Sequence, residues 1–165
     1  MVSSDITVVV SIIGGVVGLI AMTVAYSQMR IASSKTKLDL YNKRFDVYTA
    51  ALDYHKAAWH GDCDVINEAG EVAVRFFRES QFLFDPDDKI FPLLQRFMQA
   101  GAFVRRHAEL EKEVGLGNQP VNELYKASQE KSTSSLVELG DILQEFEVKL
   151  TRYLSFHSVK GWTFF

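Results

Sequence analysis

Residues 6–29 read ITVVVSIIGGVVGLIAMTVAYSQM, 24 consecutive uncharged residues between Asp5 and Arg30. With about 1.5 Å of rise per residue, a helix over this run exceeds the ~30 Å hydrocarbon core of a bilayer. Length and composition therefore predict a transmembrane helix over 6–29. A cleavable signal peptide opens with a basic region and has a shorter apolar stretch. Here Met1-Val2-Ser3-Ser4-Asp5 carries no Lys or Arg, although Thr23-Val24-Ala25 has the small residues of a cleavage site. A buried core helix of this length is rarely apolar on every face. A helix lying on the lipid surface requires a charged face, which this run lacks.

The first cluster of charge after the run is Arg30, Lys35, Lys37, Lys43 and Arg44, opposed by Asp39 alone. Basic residues favour the cytoplasmic side, so the N-terminus is expected outside and the C-terminal part in the cytoplasm. The same side chains are placed to meet anionic headgroups of membrane lipids, at on the order of 1 kcal/mol each near the surface. Cys63 is the single cysteine, which excludes an intramolecular disulfide and agrees with a reducing compartment. All 18 Lys and Arg follow residue 29, against 20 of the 21 acidic residues. That near-neutral balance lacks the basic surplus that nucleic-acid binding uses, so no nucleic-acid partner is expected. The roughly 120 residues beyond the flank suffice for one core and not for two.

Beyond the run, apolar residues recur at helical spacing, and no segment alternates with the period of a strand. The expected fold class is all-α: one N-terminal transmembrane helix followed by a cytoplasmic antiparallel bundle of about four helices. Within 35–60, Leu38, Tyr41, Phe45, Tyr48, Leu52, His55 and Trp59 follow a 3-4-3-4-3-4 spacing that sets them on one stripe. No Gly or Pro falls between Arg30 and His60, so 30–60 is expected to be a juxtamembrane stalk and the first bundle helix. Gly61 ends it, and Asp62 or Asp64 can cap a second helix with Val65/Ile66, Ala69, Val72/Ala73 and Phe76/Phe77 inward. Asp85-Pro86-Asp87-Asp88 marks a turn. A third helix follows, with Pro92 in its first turn and Ile90, Leu94, Phe97, Gly101, Val104 and Ala108 inward.

Gly115-Leu116-Gly117-Asn118-Gln119-Pro120 reads as a loop. A fourth helix is expected from Pro120 to as far as Phe156, with Val121, Leu124/Tyr125, Leu136, Leu139, Leu143, Phe146, Leu150 and Tyr153 inward. Lys131-Ser132-Thr133-Ser134-Ser135 interrupts that pattern, as a kink, a polar layer or a frayed turn. Residues 61–156 thus complete the bundle, and 157–165 form an aromatic tail. The long first and last helices are expected to pack together.

The juxtamembrane stretch Lys37-Leu38-Asp39-Leu40-Tyr41-Asn42-Lys43-Arg44-Phe45-Asp46-Val47-Tyr48 resembles one found in small uncharacterised bacterial single-pass inner-membrane proteins. Phe84-Asp85-Pro86 and Tyr153-Leu154-Ser155-Phe156 also look like pieces of that group. The resemblance implies an N-terminal span, a helical cytoplasmic region and a bacterial inner (plasma) membrane. It implies no activity.

Groups that bind metals crowd the end of the first helix, namely His55, His60, Asp62, Cys63 and Asp64. Structural zinc sites use tighter pairs such as C-x₂-C with a second pair elsewhere, so core and capping roles are expected instead. Cys63 with His60 lacks a third group and an oxyanion loop, and Cys63 reads as a small apolar side chain. Gly115-Leu116-Gly117 lacks the strand and third glycine of a dinucleotide loop. Arg105-Arg106-His107, Lys126 and Lys131 read as solvated faces. No metal, no cofactor and no catalytic residue is expected.

Association is suggested twice. Gly14, Gly18, Ala21 and Ala25 share one face of the run, with Ser11 and Gly15 on a neighbouring strip. Small residues let helix backbones approach in lipid, offering a homodimer or higher homo-oligomer. The stripe from Leu38 to Trp59 has heptad spacing, but Tyr41, Tyr48, His55 and Trp59 are bulky or polar for a two-stranded seam, so packing within the chain is preferred. The tail's Trp162, Phe164 and Phe165 suit docking on the folded part, at the membrane interface or on a partner, with the first and last preferred. The function expected is a membrane-anchored interaction protein at the cytoplasmic face, with an unidentified protein partner and no catalysis of its own. The alternative is a small membrane effector, a toxin or antiviral-defence component, whose self-associating spans perturb the bilayer.

Overall fold

Residues from Val2 onward meet no proline until Pro86, and the first glycine with a crowded environment is Gly61. A computed structural model, which describes residues 2–155 and side-chain surroundings from residue 13, accordingly begins with one helix, α1, Val2–His60. Three further helices follow: α2 (Cys63–Leu83), α3 (Ile90–Gly115) and α4 (Glu123–Leu154), with a 3₁₀ turn at Pro86–Asp88. No strand occurs among the described residues. The chain divides into two units, Met1–Asp39 and Leu40–Phe165.

Each helix end has a local cause. The Gly61 amide donates to the Ala57 carbonyl at 2.7 Å. A Cβ at Gly61 would lie 2.6 Å from that same oxygen, so the close approach requires glycine. Asp62 is the cap of α2, its Oδ1 accepting from the amides of Asp64 (3.1 Å) and Val65 (3.0 Å). Asp85 caps the 3₁₀ turn through the Asp87 amide, and Lys89 reverses the chain into α3 with φ 55°. The fourth helix starts later than Pro120, because the Asn122 side chain accepts from the Tyr125 amide at 3.0 Å and fixes the start at Glu123. Val121 and Leu124 are correspondingly exposed instead of inward. It ends at Leu154.

In the unit Leu40–Phe165 the core is drawn from all four helices: Val47, Ala51, Tyr54 and Ala58; Ile66 and Ala73; Ile90, Leu93, Leu94, Phe97, Ala100 and Val104; Leu139, Ile142, Leu143, Phe146 and Leu150. The inward face of α1 differs from the stripe read in the sequence. Of Leu38, Tyr41, Phe45, Tyr48, Leu52, His55 and Trp59, none is fully buried, and Leu38, Phe45 and Trp59 are exposed. The buried positions are Val47, Ala50, Ala51, Tyr54, Ala57 and Ala58, one residue earlier along most of the helix. The reason is steric. Tyr54, 1% exposed, fills a slot with Gly70 of α2 on one side and Gly101 of α3 on the other. A Cβ on Gly101 would come within 2.4 Å of the Tyr54 ring, and one on Gly70 within 3.3 Å. Seating that ring turns the alanine face inward and leaves the larger aromatics on the flanks.

The most extensive close backbone contact is between α3 and α4, followed by that between α2 and α3. Small side chains permit this on α4, where Ser132 and Ser135 are buried in an unbroken helix. The serine-rich segment is therefore helical and turns Ser132 and Ser135 inward as a polar layer, and it is not a frayed turn. α1 and α4 meet through longer side chains: Arg44 lies over Tyr153 (4.5 Å), Tyr48 donates to Glu147 (2.9 Å) and His55 approaches Gly140. Rising numbers on α1 meet falling numbers on α4, so these two helices run in opposite directions.

Gly101→Ala should lower the stability of the full chain in micelles by about 1–3 kcal/mol, read from its denaturant midpoint, because the added methyl strikes the Tyr54 ring. Gly140→Ala, whose Cβ would stand 3.6 Å from His55 Nε2 in ordinary contact, should instead stabilise. The expected gain is up to about 1 kcal/mol from helix propensity.

Candidate functional site

Every described residue from Ile13 to Leu40 is exposed. Among them are Ile13, Val16, Val17, Leu19, Ile20, Met22, Val24 and Met29, each half-exposed or more. This is the one helix among the described residues long and apolar enough to cross a membrane. Two of its hydroxyls are satisfied inside the helix: Thr23 Oγ1 donates to the Ile20 carbonyl at 2.7 Å and Ser27 Oγ to the Thr23 carbonyl at 2.9 Å. Such bonds remove most of the cost of carrying a hydroxyl into hydrocarbon. Cβ atoms built at Gly14, Gly15 and Gly18 would meet nothing within 4 Å, so that face is open. Ala21 and Ala25 are exposed as well, and the side chain of Ser11 lies outside the described residues.

The basic cluster splits in two. Arg30, Lys35, Lys37 and Lys43 are exposed. Arg44 is not available in the same way: its Nε donates to the Leu83 carbonyl at 2.9 Å, and its guanidinium lies 4.5 Å from the Tyr153 ring and 6.0 Å from that of Phe84. A cation at the C-terminal end of α2 also meets the negative end of the helix dipole. Burial lowers the pKa of Arg44, which nevertheless stays charged. Arg44 thus ties the start of the compact unit to the ends of α2 and α4.

That tie continues into a polar cluster. The Tyr153 hydroxyl accepts from the Asp85 amide at 3.0 Å and donates to Asp88, whose other oxygen accepts from Arg152 at 2.7 Å. The Tyr153 hydrogen bond, followed by the charge of Arg152, holds the Asp88 carboxyl below its ordinary value despite opposing desolvation. Burial and the Asp88 bond push the Tyr153 phenol up. The cluster pins the end of α4 to the turn between α2 and α3.

At the α1–α2 turn, the residues that sequence alone crowds together hold separate partners. His55 Nε2 accepts from Trp59 Nε1 at 3.0 Å, and His60 is exposed. Asp62 caps α2, Cys63 Sγ accepts from Asn67 at 3.5 Å, and Asp64 pairs with Lys112 at 2.8 and 3.0 Å. That pair raises the Lys112 pKa. Among the described residues no group of three or more His, Cys, Asp or Glu is placed to hold a metal. Asp62, Cys63, Asp64 and Lys112 line an open cleft of about 530 Å³ with Trp59, His107, Glu111 and Ser132, whereas His55 and His60 do not. The sequence reading missed the α3 wall of this cleft. His107 and Arg105 are half-buried rather than solvated, whereas Arg106, Lys126 and Lys131 are exposed. His107 stacks at a tilt on Tyr125 with centroids 5.3 Å apart, and its Nδ1 is buried without a protein hydrogen-bond partner. The signal was the i, i+3, i+7 relation of Val104, His107 and Glu111.

The tail residues Trp162, Phe164 and Phe165 lie outside the described residues. No protein-family model, no curated protein and no solved structure matches the chain.

Burial, then repulsion from His60, lowers the His55 pKa below its ordinary 6.5. A histidine that resists protonation in the fold contributes stability that is full above 6.5 and lost as pH falls through the lowered value. Protonation also removes the lone pair that receives Trp59. Acidifying from about pH 7.5 to about pH 5 should therefore lower the melting temperature and shift Trp59 emission. Both changes should shrink in His55→Gln.

Proposed function

We propose that the chain is a membrane-anchored, helical-bundle interaction protein without catalysis of its own. Residues 6–29 cross the bacterial inner membrane once, with the N-terminus outside. α1 to α4 of the Leu40–Phe165 unit form an antiparallel bundle at the cytoplasmic face. The carrying observation is that α1 is uncharged and exposed throughout 13–29, with the Thr23 and Ser27 hydroxyls bonded internally. A core helix would be covered, and a surface helix would keep a charged side. The opposed contact order of α1 and α4 and the core shared among four helices support the bundle. Exposed Arg30, Lys35, Lys37 and Lys43 support the orientation and contact with membrane lipids.

The open face at Gly14, Gly18, Ala21 and Ala25 supports a homodimer or higher homo-oligomer within the membrane. The exposed flank residues Phe45 and Trp59 of the stalk stripe give an unidentified protein partner an aromatic surface. Chemistry at the α1–α2 turn is disfavoured because Asp62, Cys63 and Asp64 each already serve packing or capping.

A C-terminal fusion should fluoresce as a cytoplasmic reporter and stay inactive as a periplasmic phosphatase; the reverse pattern would overturn the orientation. Gly14→Leu and Gly18→Leu should each reduce cross-linked dimer in membranes, and unchanged cross-linking removes the span from the association. If expression arrests growth and those two substitutions relieve it, the effector reading replaces the passive module.

A further inference from the structure

We propose that the cleft between the α1–α2 turn, α3 and α4 binds a small organic cation with an apolar body, an arylalkylamine in chemical class. The cleft holds about 530 Å³, within the roughly 300–1,000 Å³ of small-molecule sites. Its floor belongs to the core, with Ile66 and Val104 buried there. Half-exposed Trp59 forms one wall, its ring fixed by the Nε1 donation to His55 at 3.0 Å. An aromatic wall receives either a flat apolar body or a cation over its face.

Charge decides the sign of the ligand. Asp62, Asp64 and Glu111 outnumber Lys112 along the lining, and Lys112 is already bonded to both Asp64 oxygens at 2.8 and 3.0 Å. Asp62 Oδ1 is likewise engaged by the amides of Asp64 and Val65. Glu111 has no hydrogen bond or ion pair among the described residues, which leaves its carboxylate for an incoming ammonium. Ser132 on α4 supplies a second polar group. It lines the cleft at 4% exposure, and its hydroxyl has no partner among the described residues. The neighbouring Ser134 hydroxyl, by contrast, donates to the Lys131 carbonyl. A buried hydroxyl left unpaired is costly, and an ammonium N–H donating to Ser132 Oγ would satisfy it. This site goes beyond the interaction role and does not depend on the membrane assignment, because every residue named lies in the Leu40–Phe165 unit.

The test uses the full chain in micelles, carrying Trp162→Phe so that Trp59 is the sole indole. Phenethylamine should change Trp59 emission saturably, and the similarly sized anion 3-phenylpropionate should bind at least about tenfold more weakly. Glu111→Gln should weaken the amine about fivefold, the worth of one exposed ion pair, and leave the melting temperature of the free chain unchanged. Ser132→Ala should weaken it about threefold through the lost hydrogen bond. Equal binding of amine and carboxylate, an amine affinity that survives either substitution unchanged, or a response matched by N-acetyltryptophanamide in empty micelles would each overturn the proposal.

Discussion

An apolar helix with nothing covering it is the constraint on which everything else in this chain rests. Fully burying a Val, Leu or Ile side chain is worth about 1.5–3 kcal/mol. Ile13, Val16, Val17, Leu19, Ile20, Met22, Val24 and Met29 are all exposed, so the surface left open carries on the order of 10–20 kcal/mol. The glycines at 14, 15 and 18 weaken the helix by only about 1 kcal/mol each, far less than that surface demands. The proposed span resolves the imbalance by exchanging water for hydrocarbon. The same exchange makes the internal bonds of Thr23 and Ser27 necessary rather than incidental.

The compact unit has a different logic, set by one ring. Tyr54 reaches into a slot that exists because Gly70 and Gly101 have no side chain. Its edge meets Phe97 with centroids 6.1 Å apart, and the alanines around it on α1 are drawn inward. At the other end, Arg44, Tyr153, Asp85 and Asp88 hold three helix ends together through polar contacts. One end is thus fixed by close packing and the other by hydrogen bonds and a cation over an aromatic ring. Removing a small residue from the first crowds the core, whereas removing a partner from the second strands a polar group.

Much of this was legible in the residues. The all-helical class, the long apolar first helix, the stop at Gly61 with a cap at Asp62 or Asp64, and the inward stripe Ile90, Leu94, Phe97, Gly101 and Val104 all follow from local rules of spacing and capping. What escaped depends on contacts distant in sequence. Two neighbouring stripes on α1 satisfy the helical period, and hydrophobicity selects the aromatic one. Choosing the alanine stripe instead requires knowing that Gly70 and Gly101 will face Tyr54. Arg44 looked like a headgroup ligand because its partner, the Leu83 carbonyl, lies 39 residues away. Val121 and Leu124 looked inward because Asn122 was not recognised as the cap.

The claim that residues 6–29 remain as a membrane anchor is tested most directly by the intact mass of the protein recovered from alkali-washed membranes. The expected result is the full chain at 18.7 kDa, retained in the pellet. Release into the wash, or a shorter species cut after Ala25, would contradict it.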